Sequence, residues 1–365
     1  MSIDALVRSC IADLEPYEPG KPIEEVEREL GITGVIKMAS NENPLGPSPL
    51  AVEAVRKAAA GMQIYPDGNA HYLKKALASM LKVESNQLFI GNGSDEIIHF
   101  LGITYLHPGD EVIVADPSFS RYDSAVILMN ARLIKVPLKD FRHDLDAMAS
   151  KFSDRTKLIF ICNPNNPTGT IVRQNEVERF LKKLPADAIA VFDEAYYEYV
   201  EAEDYPDSLR YIGEGRHIVT LRTFSKIYGL AGLRVGYAVS SPEIIAHLNR
   251  VKEPFNVNSL ALAAAQASLN DPDQVRRSRQ LVSEGKRFLQ QSFTAMGLDY
   301  MPTEANFIMV RVGLDSREVF RALMSKGVII RTGDIFGLSD YIRVTVGTMG
   351  QNERFIKALS DVLER

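Results

Sequence analysis

Short, strongly apolar runs alternate with amphipathic helical patterns between about residues 50 and 255. Seven such runs occur, at residues 88–90, 112–115, 133–136, 158–162, 188–192, 218–221 and 235–239. These runs are too apolar for strands with one face in water, so the strands that they predict need helices on both faces. The alternation therefore favours an α/β fold built on a mainly parallel seven-stranded sheet.

The pattern changes on both sides of this region. After residue 255, a long helical stretch at 272–297 precedes β-rich pieces at 307–310, 328–330 and 342–346, which predicts a smaller α+β domain at 256–365. Five prolines between residues 16 and 47 keep much of the start of the chain extended. We therefore expect a large domain at 49–255 and an N-terminal arm at 1–48, which begins with a helical pattern over residues 3–14 and partly joins the small domain.

Composition excludes several classes of protein. The 365 residues include 42 basic and 47 acidic side chains, a formal charge of −5, whereas general nucleic-acid binding favours a basic surplus. No apolar run approaches the ~18 residues of a membrane helix, and the first ten residues do not resemble a signal peptide. Two cysteines are too few for a disulfide framework. We therefore expect a cytoplasmic protein that binds neither membranes nor nucleic acid.

Four of the predicted strands are followed by unusual polar segments. These segments begin at Gly91, Asn163, Asp193 and Thr223. Ligands of open α/β sheets bind at the carboxyl ends of the strands. The sequence therefore predicts that the four segments contribute to one site.

Three residues in these segments carry the clearest chemical signals. Lys226 has apolar and glycine neighbours, and desolvation lowers the pKa of a lysine and makes its amine a nucleophile, although most lysines are surface charges. Asp193 ends a very apolar strand, where it either caps a helix, accepts a buried hydrogen bond or holds a cationic partner. Ser94 follows a glycine turn and is either an ordinary helix cap or part of an anion site.

Amide and guanidinium side chains add to this set. Three asparagines fall within residues 163–166, more than a turn requires, and Asn166 is the one that we expect to contact a ligand. Arg331 and Arg343 have apolar β-strand neighbours, so each either faces outward or recognises an anion. The six histidines lack metal-ligand spacing, and the sequence contains neither a Walker loop nor a Gly-x-Ser-x-Gly motif.

Four motifs, in this order and spacing, resemble the fold-type I pyridoxal-phosphate aminotransferases. They are Asn166-Pro167-Thr168-Gly169, Phe192-Asp193-Glu194-Ala195-Tyr196, Ser225-Lys226 and Gly232-Leu233-Arg234. The spacing from Asp193 to Lys226 to Arg234 is similar to that of class II members. Tyr17, Ser40-Asn41-Glu42-Asn43-Pro44, Tyr65-Pro66 and residues 343–348 further resemble the histidinol-phosphate aminotransferase family. The resemblance covers essentially the whole chain.

The resemblance implies a role for each matching residue. Lys226 would hold pyridoxal 5'-phosphate covalently, Asp193 would pair with the ring nitrogen, and Tyr196 and Asn166 would bind the 3' oxygen. Phe119 would stack on the ring. The phosphate would be held by Gly93, Ser94, Asp95, Thr223, Ser225 and Arg234, with Tyr65 reaching it from the second subunit of a homodimer. For Asp95 we expect the backbone N–H, and not the carboxylate, to face the phosphate.

The resemblance also implies the substrates. The family transfers the amino group of L-histidinol phosphate to 2-oxoglutarate, which gives imidazole acetol phosphate and glutamate in histidine biosynthesis. The substrate-side residues would be Tyr17, Asn306, Arg331 and Arg343. An aromatic amino-acid aminotransferase and a threonine-phosphate decarboxylase of the same fold remain alternatives. A non-catalytic pyridoxal-phosphate-binding module would not need the substrate-side arginines.

Overall fold

The computed structural model describes residues 3–12, 14 and 20–364. The strands in this part of the chain are β1 Ile36–Lys37, β2 Leu88–Gly91, β3 Glu111–Asp116, β4 Arg132–Pro137, β5 Thr156–Cys162, β6 Ile189–Asp193, β7 His217–Thr223, β8 Gly236–Ser240, β9 Phe307–Arg311, β10 Val328–Ile329, β11 Arg331–Thr332 and β12 Tyr341–Thr345. The α-helices are α1 Ser9–Ala12, α2 Ile23–Leu30, α3 Pro49–Ala59, α4 His71–Leu81, α5 Ser94–Tyr105, α6 Arg121–Ile127, α7 Leu145–Ala149, α8 Gln174–Lys183, α9 Pro242–Val251, α10 Ser259–Ser268, α11 Pro272–Ala295, α12 Ser316–Ser325 and α13 Met349–Leu363.

Seven strands form the central sheet, in the order β2-β8-β7-β6-β5-β3-β4. Strands β3 to β7 pair in parallel, whereas β8 is antiparallel to both of its neighbours. Each of the seven predicted runs overlaps one of these strands, so the prediction of a mainly parallel seven-stranded sheet is confirmed.

Helices cover both faces of this sheet. Alternate residues of β3 point to opposite sides: Val112 and Val114 pack in the core under α5, α6 and α9, and Ile113 packs in the core that includes α4, α7 and α8. β5 is buried on both faces over nearly its whole length. The strands are strongly apolar because neither face of the sheet meets water.

The C-terminal part contains a second, smaller sheet. Strands β11, β12 and β9 are antiparallel in that order, α11 and α12 lie against them, and α13 packs on these two helices. β1, from the start of the chain, pairs in parallel with β10 through the register Ile36 to Val328. Helix α10 packs against α3 and α4. The domain limits at residues 48 and 255 stay a prediction.

The expected helix over residues 3–14 is not continuous. A 3-10 turn at Ile3–Leu6 is followed by the single-turn helix α1. The side chains of Ile3 and Leu6 are more than 70% exposed, at 72% and 77%. A short helix whose apolar side chains are exposed is marginal in water, which explains the break.

Within residues 3–12, 14 and 20–364, no helix has the length and apolar character that crossing a membrane requires.

Candidate active site

A cavity of about 670 Å³ opens at the carboxyl ends of the parallel strands. Twelve of the sixteen predicted site residues line it: Ser94, Asp95, Phe119, Asn166, Asp193, Tyr196, Thr223, Ser225, Lys226, Arg234, Arg331 and Arg343. The four polar segments after the strands therefore meet at one place, as the sheet topology requires.

One end of the cavity is built to hold an anion. Gly93 precedes α5 with φ +79° and ψ 170°, so the first turn of the helix, whose N–H groups lack intrahelical acceptors, begins at Ser94. Arg234 Nη1 donates to Ser225 Oγ at 3.3 Å, and its Nη2 lies 3.4 Å from Asp95 Oδ2. A Cβ on Gly93 would lie 2.6 Å from Arg234 Nη2, so only glycine leaves this guanidinium its place.

The backbone of Arg234 is itself unusual. It has φ +56° and ψ 72°, in the left-handed region, at the end of the 3-10 turn Ala231–Leu233. A non-glycine residue in such a conformation is strained by on the order of 1 kcal/mol, and such residues cluster at ligand sites. In this conformation the guanidinium lies beside Asp95, in the first turn of α5.

Asp193 is a buried carboxylate at the end of β6. Its carboxylate accepts one hydrogen bond from the hydroxyl of Tyr122 at 2.7 Å and another from the backbone N–H of Ala195 at 3.2 Å. Burial raises the pKa of Asp193 to about 6, although both hydrogen bonds act in the opposite direction. The carboxylate is therefore ionised at neutral pH and is suited to hold a cationic ring nitrogen.

Lys226 lies three residues after the end of β7 and is half-buried. Its Nζ donates to the carbonyl of Ser40 at 3.2 Å. Burial, together with the positive charge of Arg343, lowers the pKa of Lys226 to about 8. A lysine with this pKa is neutral in about one molecule in ten at pH 7 and is therefore a usable amine.

Tyr196 lies beside Lys226 in the cavity. The Lys226 ammonium is 5.7 Å from the centre of the Tyr196 ring. The Tyr196 hydroxyl accepts the side-chain N–H of Asn41 at 2.9 Å, and burial raises the pKa of this phenol. The hydroxyl therefore keeps its proton and has it available to donate.

Asn166 lines the cavity and contacts Arg343 through its side-chain amide. Its Oδ1 accepts from Arg343 Nη1, and Arg343 Nη2 donates to the carbonyl of Ala39 at 2.9 Å. Because a guanidinium can only donate, the oxygen of Asn166 must face Arg343, which leaves its amide N–H groups as donors for a ligand.

Arg331 and Arg343 are directly opposite each other in the β11–β12 pair. Residues opposite in an antiparallel pair point to the same face, and two like charges there repel each other. Both side chains line the cavity, and Arg343 is 6% exposed. Such an arrangement is favoured when an anion lies between or above the two guanidinium groups.

Of the other four predicted residues, Gly93, Asn306 and Tyr65 lie in the described part of the chain and do not line the cavity. Gly93 supports the anion end through its backbone. Asn306 is fully buried behind the cavity, where its Nδ2 donates to the carbonyl of Asn41 at 3.0 Å. Tyr65 is 79% exposed and stacks on Phe255 with ring centres 4.7 Å apart. Tyr17 lies outside the described residues.

Three residues without a predicted role also contribute. Asn41 contacts Tyr196, and Tyr122 contacts Asp193. Arg121, two residues after Phe119, adds a fourth arginine to the lining, beside Arg234, Arg331 and Arg343. Asn41 lies in the segment 40–44 noted above, whereas the partner of Tyr122 is 71 residues away and no local pattern indicates it.

The donor set fits pyridoxal 5'-phosphate. An anion cradle, an amine, a buried carboxylate and two donors for a ring oxygen lie in one cavity of suitable size, and Phe119 lines the same space. The sequence profile of the aminotransferase class I and II family matches residues 33–359. The chain belongs to this family.

This aminotransferase is similar along its whole length to proteins named histidinol-phosphate aminotransferase. It is 59% identical over 357 residues to that of Moorella thermoacetica, which covers 98% of the chain and 92% of the relative. It is 48% identical over 360 residues to histidinol-phosphate aminotransferase 2 of Carboxydothermus hydrogenoformans, with 98% and 99% covered.

A solved structure is similar to the aminotransferase in three dimensions. Histidinol-phosphate aminotransferase from Sinorhizobium meliloti, in complex with pyridoxal-5'-phosphate, superposes with a TM-score of 0.90 at 28% identity. The superposition covers 98% of this chain and 97% of the other. The fold is therefore that of the fold-type I aminotransferases, and the cofactor is pyridoxal 5'-phosphate.

Proposed function

We propose that this aminotransferase transfers the amino group of L-histidinol phosphate to 2-oxoglutarate, giving imidazole acetol phosphate and glutamate in histidine biosynthesis. The observation that carries the proposal is the pair Arg331 and Arg343, which lie in register on neighbouring strands and both line the cavity. The sequence similarity to proteins named for this substrate supports it.

We assign the binding of the cofactor to the residues of the cavity floor. Lys226 binds it covalently, Asp193 holds its ring nitrogen, and the amide of Asn166 and the hydroxyl of Tyr196 donate to its 3' oxygen. Phe119 covers the ring, and the phosphate is held by Gly93, Ser94, Asp95, Thr223, Ser225 and Arg234. When bound, pyridoxal phosphate supplies an electron-withdrawing ring and an aldehyde carbon that exchanges amines.

Lys226 is the residue that moves protons. Its lowered pKa allows the amine to accept a proton from the substrate carbon and to return it elsewhere. The carbonyl of Ser40 accepts an N–H of Lys226, which orients the amine. Asp193 keeps its negative charge near neutral pH because two donors offset part of the effect of burial.

The two substrates present different anions to the same arginines. Histidinol phosphate has a phosphate and no carboxylate, whereas glutamate has two carboxylates. Guanidinium groups bind both kinds of oxyanion through paired N–H donors. We assign the phosphate of one substrate and the carboxylates of the other to Arg331 and Arg343, with Tyr17 and Asn306 as further substrate-side residues.

Single half-reactions test the choice of substrate. The loaded enzyme is mixed with histidinol phosphate, phenylalanine or phosphothreonine, and the visible absorption band of the lysine-bound cofactor is followed. Histidinol phosphate should bleach the band fastest. Faster bleaching by phenylalanine would establish an aromatic aminotransferase instead, and release of carbon dioxide from phosphothreonine would establish a decarboxylase.

Replacement of the lysine tests the reaction itself. Lys226→Ala should still bind the cofactor, since the cradle and Asp193 remain, but should show no repeated turnover. Lys182→Ala, which removes a lysine from the last turn of α8, serves as the control and should keep full activity. Repeated turnover by Lys226→Ala contradicts the assignment.

We also propose a homodimer in which Tyr65 completes the site of the partner. Tyr65 is exposed, as are Met62 at 69% and Ile64 at 67%, so this segment presents apolar side chains to the outside. Mixing the inactive variants Tyr65→Ala and Lys226→Ala should restore activity, because a hybrid dimer contains one intact site. Sedimentation that yields only a 40.6 kDa species refutes the dimer.

The cytoplasmic location stays a prediction.

A further inference from the structure

Tyr122 connects two groups that hold the cofactor ring. It lies in α6, three residues after Phe119, and its ring is packed edge-to-face against the Phe119 ring with centres 5.6 Å apart. Its hydroxyl donates to Asp193 Oδ2 at 2.7 Å. One buried side chain therefore contacts both the aromatic ring at the cavity wall and the carboxylate at its floor.

The position of the Tyr122 hydroxyl is tightly constrained. The side chain is 1% exposed, and its ring stacks on Phe160 of β5 with centres 4.4 Å apart and an interplanar angle of 13°. The hydroxyl cannot leave Asp193 without disturbing this stack. A hydrogen bond from a fixed donor both orients a carboxylate and favours its charged form.

We propose that Tyr122 is a positioning residue, which holds the Asp193 carboxylate ionised and aimed at the ring nitrogen while it supports Phe119. The proposal rests on the assignment of Asp193 to the cofactor made above. The hydroxyl acts through Asp193 and does not itself touch the cofactor or the substrate.

Several groups around Asp193 oppose its ionisation. Burial and the nearby carboxylates of Asp95 and Glu194 all disfavour the ionised form. Tyr122 and the N–H of Ala195 favour it. Burial and the charge of Asp193 raise the pKa of Tyr122 well above its usual value, so the phenol stays protonated and remains the donor at every physiological pH.

The test compares Tyr122→Phe with wild-type protein. This change keeps the ring and its stacking and removes only the hydroxyl. The dissociation constant of pyridoxal phosphate from the apoenzyme, measured by fluorescence between pH 5 and 9, should rise about tenfold at pH 7. In the wild type, the affinity for the cofactor should fall as the pH drops below about 6, where Asp193 becomes protonated. In Tyr122→Phe this acid limb of the affinity profile should move to higher pH by about one unit, because the charged carboxylate has lost a hydrogen-bond donor.

Tyr105→Phe is the matched control. It removes a tyrosine hydroxyl that is hydrogen-bonded to His247 at 3.1 Å, away from the cavity. This variant should bind the cofactor with wild-type affinity and pH dependence. An acid limb in Tyr122→Phe that coincides with those of the wild type and the control overturns the proposal.

A double-mutant cycle separates positioning from general support. In an Asp193→Asn background, Tyr122→Phe should change the cofactor affinity less than twofold, because there is no carboxylate to hold. An equally large effect in both backgrounds identifies Tyr122 as a structural residue and overturns the proposal. If Asp193→Asn alone leaves the affinity unchanged, the cofactor assignment fails instead.

If Tyr122→Phe does not fold properly, as the lack of a cooperative unfolding transition would show, a measurement on wild-type protein replaces it. The infrared carbonyl band of protonated Asp193, identified by its loss in Asp193→Asn, is titrated in the apoenzyme. A midpoint near pH 6 agrees with a carboxylate held by Tyr122. A midpoint above pH 7.5 contradicts it.

Discussion

Gly93 is the residue at which the phosphate cradle can be tested by adding one carbon atom. Its φ of +79° and ψ of 170° fall in a region that is accessible to essentially glycine alone. An alanine there is strained by on the order of 1–3 kcal/mol. Gly93→Ala should therefore lower the free energy of unfolding of the apoenzyme by about that amount, measured with urea.

The second effect of Gly93→Ala falls on Arg234. The new Cβ would lie 2.6 Å from Nη2 and 3.2 Å from Cζ, both too close, so the guanidinium must move away. A charged hydrogen bond contributes about 1.5–3 kcal/mol, and its loss corresponds to a rise of about 10- to 100-fold in the dissociation constant of pyridoxal phosphate.

Gly232→Ala provides a matched control two residues before Arg234. A Cβ on Gly232 meets no atom within 4 Å, and its φ is outside the left-handed region. This variant should bind the cofactor as the wild type does. Binding by Gly93→Ala within twofold of the wild type would refute the reasoning.

A double variant isolates the displacement of the guanidinium. In an Arg234→Ala background the clash is absent, so Gly93→Ala should add its backbone strain but little further loss of affinity. Additive losses of affinity would show that Gly93 acts on the phosphate by another route.

Two further predictions concern Lys226 and Tyr196. In the apoenzyme, the rate of acetylation of Lys226, followed by mass spectrometry, should rise with pH and reach half its maximum near pH 8, because only the neutral amine reacts. Arg343→Met should move this midpoint to higher pH, since it removes a cation that disfavours the charged lysine; an unchanged midpoint contradicts this. Asn41→Gly keeps the left-handed backbone (φ +56°) but removes the donor to Tyr196. Its kcat/KM should fall about fivefold, the equivalent of one hydrogen bond of about 1 kcal/mol, and an unchanged kcat/KM refutes that role.

Much of the large domain could be predicted because its signals are local. Each strand is a continuous apolar run, and each polar segment directly follows its strand, as Asp193 follows β6. The parallel sheet then places these segments at one edge. The helix expected over residues 3–14 was wrong because helical spacing alone does not supply the packing that a short helix needs.

The sequence by itself determined the order of the strands along the chain and the chemistry at their ends, since both depend on neighbouring residues. Only the tertiary structure decided which distant side chains meet. The β11–β12 register places Arg331 opposite Arg343, the pairing of β1 with β10 brings the N-terminal segment that carries Asn41 to the cavity, and the packing of α6 brings Tyr122 to Asp193. These contacts join residues that are far apart in the chain, and they depend on packing and register, which no local pattern encodes.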